Sequence, residues 1–273
     1  LPTAFDALTW HAHEMLFGFA AAAIAGFLLT AIPNWTGRLP LAGPGLAMLV
    51  LLWFAGRLAV LFSATIGALP AAIVDLSFLT VLLVVVAREI VAGRNWRNLP
   101  VTMVLATLIA ANALVHADPV AGLASAAPGL RLAIGIVVLL IGLIGGRIIP
   151  SFTRNWLVKQ SGPQLPVPFG AYDRLCLLAV ILSVAAWVPF PDALATSLLL
   201  VGAGTLHLVR LARWCGYRTL PEPLLWSLHV GFAWLPVGLI LLGAAGLLPS
   251  IPAPAGPHAL TAGALGSMLL AVL

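Results

Sequence analysis

Charged residues are scarce in this chain: Asp, Glu, Lys and Arg together make up 8% of its 273 residues, while 62% are hydrophobic. Soluble domains carry about 25% charged residues, so the composition excludes an ordinary soluble protein and indicates a polytopic protein of the lipid bilayer. A membrane-spanning helix needs about 20 apolar residues, so this length allows roughly nine spans with short loops. The net charge of +5 does not indicate a nucleic-acid partner, because the cations lie in loops between apolar segments, where membrane proteins carry them.

Cysteine is also scarce, and the motifs of common soluble enzymes are missing. Cys176 and Cys215 form no CxxC pair and lie in or beside apolar segments, so we interpret them as small buried residues. There is no P-loop, no Rossmann glycine fingerprint and no Ser-His-Asp order. The chain has no cleavable signal and both ends lie in or near apolar sequence, so we expect a single integral-membrane helical domain over residues 1–273, truncated at both ends.

Nine apolar segments are predicted as helices, and proline or glycine marks many of the joints between them. The predicted helices are 11–32, 45–66, 69–91, 99–117, 129–149, 172–191, 193–214, 223–247 and 257 onward. The connector from Pro150 to Tyr172 is polar and proline-rich, so it is predicted as the longest loop, with room for a short surface helix. The fold class predicted from these segments is all-α, a polytopic transmembrane helix bundle.

The cations alternate between loops and so indicate an orientation. The loops after the first, third, fifth and seventh helices hold Arg38; Arg88, Arg94 and Arg97; Arg147, Arg154, Lys159 and Arg174; and Arg210, Arg213 and Arg218. The four other loops hold none beyond Arg131, just inside the fifth helix. Because basic loops stay in the cytoplasm, we expect His11, His13, His116 and His258 near the outer face, and His207 and His229 near the inner face at matching depth.

The histidines near the outer face form the first candidate site. On a regular helix His11 shares a face with Met15 and is a neighbour of Glu14, whereas His13 points about 200° away from His11. Thioether and imidazole together suit copper, and imidazole alone suits haem iron, copper or zinc. Four histidines from three helices favour metal or haem binding; the alternative is an interfacial belt of Trp10 and histidines.

Further polar residues lie inside or beside the apolar segments. His116 is followed by Asp118, a candidate to orient it as a ligand; the alternative is a helix-end histidine in contact with water. His207 and His229 are candidates to clamp a haem or carry protons, and the plainer alternative is an interhelical hydrogen bond.

Two groups of arginines remain. Arg57, near the middle of the second helix, needs a partner at membrane depth. The favoured interpretation is an ion pair between Arg57 and Asp75. The alternative is that Arg57 binds an anionic ligand such as a haem propionate. Arg147 and Arg154 close the fifth helix as a membrane anchor or as an anion or partner site, and the sequence does not decide between these.

Three long motifs resemble the signatures of the NnrS family. Residues 10–18 (WHAHEMLFG) with 26–37 (GFLLTAIPNWTG) are similar to its first signature, 146–155 (GRIIPSFTRN) to its middle one and 257–264 (PHALTAGA) to its late one. The resemblance implies a bacterial inner-membrane protein of about twelve helices, containing haem and copper and tied to the response to nitric oxide and nitrosative stress. It places His11, His13, Glu14, Arg147, Arg154 and His258 at signature positions, and implies further helices before Leu1 and after Leu273.

The sequence and the resemblance together predict binding or redox handling of a small diatomic such as nitric oxide at a histidine-held metal. His11, His13 and His258 are the first ligand candidates, with His116 in reserve and Glu14 as orienter or proton group. The alternatives are a proton-coupled small-solute transporter and a non-catalytic assembly factor for a nitrogen-oxide enzyme. The sequence does not identify a reaction, an electron donor, protein partners or an oligomeric state.

Overall fold

The computed structural model describes residues 2–160 and 164–272, and all regular elements in these ranges are helices. The long helices are α1 (Ala7–Thr36), α2 (Pro44–Leu61), α3 (Ala68–Ala92), α4 (Leu99–Ala121), α5 (Ala126–Lys159), α6 (Ala171–Trp187), α7 (Leu194–Ala212), α8 (Pro223–Ala245) and α9 (255–272). Seven of them are long and apolar enough to cross a membrane; α6 has 17 residues, and α9 is divided by a π-helical segment. The predicted all-α transmembrane bundle is confirmed, and each predicted segment corresponds to one of these helices.

Several helices run through prolines at which the sequence predicted a boundary. The first helix continues past Pro33 to Thr36, and the fifth continues past Pro150 to Lys159. A proline removes one backbone N–H, but membrane helices tolerate this because neighbouring groups satisfy the freed carbonyl. The predicted loop from Pro150 is therefore wrong over its first ten residues, which are helical. Residues 161–163 of that connector lie outside the described residues.

Two helices contain π-helical segments that begin directly after a histidine. In α1 the segment Glu14–Ala20 follows His13, and in α9 the segment Ala259–Gly266 follows His258. A π-helical turn inserts one extra residue and rotates everything that follows relative to a regular helix. Helix faces that were assigned from regular α-helical spacing, such as the shared face of His11 and Met15, therefore do not apply across Glu14.

The N-terminus of α1 is closed by a side-chain cap. The Asp6 carboxylate accepts hydrogen bonds from the backbone N–H groups of Leu8 and Thr9, both at 3.0 Å. Hydrogen bonding by Thr9, through its side chain and its backbone, holds the pKa of Asp6 below its usual value. The cap satisfies donors that the first helical turn leaves unpaired.

By its contacts the chain divides into two compact units, Leu1–Ala133 and Ile134–Leu273. In the first unit α3 is central and packs against α1, α2 and α4. In the second unit α8 is central and packs against α7 and α9, while α6 packs against α7. The single domain expected from the sequence stays a prediction.

Glycines on the buried faces of the second unit allow close helix contact. A Cβ atom at Gly204 on α7 would lie 2.6 Å from Cγ1 of Ile240 and 2.9 Å from the carbonyl oxygen of Pro236, both on α8. Two residues earlier on the same helix, Gly202 has no atom within 4 Å of its Cβ position. The α7–α8 contact therefore depends on the small residue at 204 and not on the one at 202.

We expect Gly204→Ala to destabilise the second unit by about 1–3 kcal/mol, because the added methyl group must displace α8 backbone. Gly202→Ala is the matched control and should be neutral or stabilising by up to about 1 kcal/mol, since alanine favours the helix. The measurement is the midpoint of thermal unfolding of each purified variant in detergent. Equal midpoints for the two variants would contradict the described packing.

Candidate metal centre

Three buried side chains from three helices of the first unit meet at one point: His13 on α1, Asp75 on α3 and His116 on α4. Their donor atoms lie within 4.8 Å of one another. Oδ2 of Asp75 is 3.2 Å from Nε2 of His13 and 2.9 Å from Nε2 of His116. The side chains of His13 and Asp75 are 0% exposed and that of His116 is 2% exposed.

The positions along the helices explain why these residues meet. His13 lies six residues into α1, Asp75 seven residues into α3, and His116 five residues before the end of α4. At 1.5 Å per residue all three are roughly 8–11 Å from the helix ends. Consecutive helices that cross a membrane alternate in direction, so these three ends belong to the same side of the bundle.

The separations suit a single metal ion. With metal–ligand distances of about 2.1 Å, neighbouring ligand atoms lie roughly 2.9 Å apart in an octahedral site and 3.4 Å apart in a tetrahedral one. Asn112, one turn before His116, adds two contacts: its Nδ2 donates to Oδ2 of Asp75 at 2.7 Å, and its Oδ1 lies 2.9 Å from Nε2 of His13. The group therefore offers two imidazoles and a carboxylate as ligands, with Asn112 hydrogen-bonded to two of them.

Arg57 binds the other oxygen of Asp75, Oδ1, and Glu14 in turn binds Arg57. Nη1 of Arg57 donates to Oε1 of Glu14 at 2.8 Å, and its Nη2 donates to Oδ1 of Asp75. A Cβ atom at Gly18 would lie 3.0 Å from Nη1 of Arg57, so glycine at that position leaves room for the guanidinium. The predicted Arg57–Asp75 pair is present, and Glu14 is a second partner that the sequence did not predict.

The charges of this network do not cancel. Two carboxylates face one guanidinium, which leaves one negative charge in excess in a largely buried site. Excess charge at membrane depth is costly, and it needs a bound cation or a protonated histidine to offset it. Nδ1 of His13 lies 3.4 Å from Oε1 of Glu14, and Nδ1 of His116 is buried without a hydrogen-bond partner in the part of the chain described.

Aromatic rings enclose the histidines. The Phe5 ring lies 5.5 Å from the His13 ring and 5.4 Å from the His116 ring, and the Phe17 ring lies 5.1 Å from His13. Phe5 and Phe17 are themselves buried. Apolar rings therefore pack against both histidines and shield them from water.

Several residues singled out from the sequence lie elsewhere in the first unit. His11 and Met15 are exposed, and the possible ligand group found in the described residues does not include either of them. Asp118 accepts a hydrogen bond from the Ala126 backbone N–H at 3.4 Å and does not orient His116. Its position two residues after His116 turns it away on the helix, and Asp75 from another helix takes the role that the sequence assigned to Asp118.

The histidines of the second unit have separate surroundings. Nδ1 of His207 donates to the Ala203 carbonyl at 3.0 Å, and His229 shares a hydrogen bond of 2.9 Å with the Thr153 hydroxyl. Both are buried, and the rings of Phe232 and Trp214 respectively lie against them. The interhelical hydrogen bond of His229 therefore runs to Thr153 on α5 and not to His207, and a haem held by His207 and His229 stays a prediction.

His258 is also in the second unit, where it is exposed and its Nδ1 donates to the Pro254 carbonyl at 2.8 Å. Its Nε2 therefore remains available to a ligand. The predicted convergence of His258 with the histidines of the first unit stays a prediction.

In the middle motif, residues 146–155, the buried contacts are made by residues other than the two arginines. Arg147 and Arg154 are exposed, and Arg147 lies 5.7 Å from the centre of the Phe169 ring. Gly146 faces the buried Arg210 instead, since a Cβ at 146 would lie 2.1 Å from its Nη2. The sequence had placed Arg210 in a cytoplasmic loop.

Arg210 is fully buried within α7. It donates to Oδ1 of Asp173 and to the Gly142 carbonyl, both at 2.8 Å. The sequence did not predict the pairing of Arg210 with Asp173. The available signal was that Arg210 still lies within the apolar helical segment and therefore needs a partner.

We expect Asp75→Asn to lower the stability of the first unit by about 1–3 kcal/mol, because Arg57, Asn112 and His116 lose a charged hydrogen-bond acceptor while Arg57 keeps its ion pair with Glu14. Asp118→Asn, the control, keeps a capping side chain at the surface and should change stability by less than about 1 kcal/mol. Thermal unfolding in detergent, followed by helical circular dichroism, measures both effects. A wild-type midpoint for Asp75→Asn would show that the network does not stabilise the fold.

Comparison with known proteins agrees with the motifs. The sequence profile of NnrS protein matches residues 1–273, the whole chain. Comparison with curated proteins and with solved structures gave no match. Because this match spans the whole chain, the chain belongs to the NnrS family.

Proposed function

We propose that this membrane protein acts in the bacterial response to nitric oxide and nitrosative stress by binding nitric oxide, or a similar small diatomic, at a metal ion held by His13, Asp75 and His116. Family membership supports the link to nitric oxide. The observation that carries the site is the convergence of two imidazoles and one carboxylate, all buried, with excess negative charge around them.

The surrounding residues have defined tasks in this proposal. Arg57 binds one oxygen of Asp75 and thereby leaves the other oxygen for a metal. Asn112 donates a hydrogen bond to the oxygen left for the metal, Oδ2 of Asp75. Phe5 and Phe17 exclude water from the histidines. A bound ion would supply open coordination positions for a diatomic, since the protein contributes three ligands.

Copper and haem enter from the family resemblance, and the residues fit them unequally. Two imidazoles with a carboxylate suit copper(II). The thioether that would favour copper(I) is not in the group, because Met15 is exposed. The donor atoms of His13, Asp75 and His116 lie within 4.8 Å of one another, which suits a single ion, and a haem would need another site, for which His11, His207, His229 and His258 are the remaining histidines. We therefore assign copper, and not haem, to the His13–Asp75–His116 centre.

The proposal includes a location in the bacterial inner membrane with the basic loops in the cytoplasm. The alternation of cations between loops supports this orientation. It puts the metal centre below the outer face, where a small uncharged gas arriving from outside reaches it first.

His13→Ala and His116→Ala should each lower metal affinity by about tenfold or more and remove spectral changes on nitric oxide addition, because each deletes a ligand. His11→Ala is a close control: it removes an exposed imidazole two residues from His13. The measurements are metal content of protein in nanodiscs and optical and electron paramagnetic resonance spectra with nitric oxide. Metal retained in both buried variants, or lost in His11→Ala, would refute the assigned centre.

A proton-coupled transporter is the second candidate, supported by the ion network of Glu14, Arg57 and Asp75 at membrane depth. Proteoliposomes separate the two functions: a pH gradient should drive no solute flux if the metal function is right. An assembly-factor role would instead be indicated by metal-free variants that still complement a deletion strain.

A further inference from the structure

A groove of about 360 Å³ opens on the second unit, where the last turns of α5 lie beside the first turn of α8. We call it the α5–α8 groove. Its apolar wall includes Phe152 and Trp156 of α5 and Leu224, Leu225 and Leu228 of α8. Phe152 is 50% exposed and Leu224 is 69% exposed, so the wall is open to a ligand from outside.

The α5 side of the groove is one face of a helix. Phe152, Asn155, Trp156 and Lys159 recur at i, i+3, i+4 and i+7, which is the spacing of an amphipathic stripe. This face exists because α5 continues past Pro150. The segment that the sequence predicted as a loop therefore forms half of the groove.

Two opposite charges stand at the groove without pairing. Lys159 is the last residue of α5, and Glu222 precedes the first residue of α8. Both line the groove, yet in the described ranges neither side chain forms an ion pair or a hydrogen bond. Their positions at helix ends place them at headgroup depth, where tryptophan and lysine are also enriched.

We infer that the α5–α8 groove binds one phospholipid whose headgroup carries both a phosphate and a primary ammonium. Lys159 contacts the phosphate, Glu222 accepts hydrogen bonds from the ammonium, and Asn155 adds an amide donor. An acyl chain lies along Phe152 and Trp156.

The plainer explanation of the two charges is that they complement the helix dipoles, with lysine at a C-terminus and glutamate at an N-terminus. That explanation requires no ligand and predicts no discrimination between headgroups. A headgroup site does predict it, because a quaternary ammonium has no N–H to donate to Glu222 and a glycerol headgroup has no charge to offer it.

The test is native mass spectrometry of the full chain in detergent, titrated with three phospholipids of identical acyl chains: phosphatidylethanolamine, phosphatidylcholine and phosphatidylglycerol. The wild-type protein should bind phosphatidylethanolamine about tenfold more tightly than the other two. Glu222→Gln should remove this preference while binding persists. Lys159→Ala should weaken binding of all three.

Arg174→Ala is the matched control, since Arg174 on α6 is an exposed cation of the same unit that does not line the groove. It should bind like wild type, and circular dichroism should show equal helicity for all variants. Equal binding of the three lipids, tightest binding of phosphatidylglycerol, or a preference retained in Glu222→Gln would overturn the proposal. So would a dimer that binds no lipid, which would make the groove an interface with a second copy.

Discussion

The packing of the first unit depends on the hydrogen bonds and the ion pair that stabilise one buried carboxylate, that of Asp75. Asp75 is completely buried on the central helix α3, where an ionised group is expensive. One of its oxygens accepts from Arg57 on α2, and the other accepts from Asn112 and His116 on α4 and lies beside His13 on α1. All four helices therefore carry side chains that stabilise the charge of Asp75. The same interactions hold the helices together and form the candidate metal centre.

This arrangement links the charge balance of the site to its chemistry. Arg57 compensates only one of the two carboxylates that it contacts, so the site retains a negative charge that attracts a cation. The imidazole nitrogens that now face Asp75 are the atoms that an ion would take as ligands. A cation bound there would therefore replace the hydrogen bonds between the histidines and Asp75.

The second unit solves a similar problem with different residues. Arg210 is buried on α7 and is neutralised by Asp173, with a backbone carbonyl of α5 as a further acceptor. The motif 146–155 contributes Gly146, which leaves room for Arg210, and Thr153, which binds His229. The exposed arginines of that motif contribute to neither contact. In both units, a glycine of a family motif makes space for an arginine: Gly18 for Arg57, whose side chain is 13% exposed, and Gly146 for the fully buried Arg210.

The sequence by itself determined the membrane class and most helix positions, because hydrophobic length is a local property of the chain; of the roughly nine spans it predicted, seven helices in the described residues are long and apolar enough to cross a membrane. It also located His13 and His116, but it did not separate His13 from His11, Asp75 from Asp118, or the buried Arg210 from loop cations. Only the tertiary structure decided these, since the partner of a side chain depends on helix rotation and neighbour identity. The π-helical segment after His13 and the helix through Pro150 change that rotation and length, and hydrophobicity records neither.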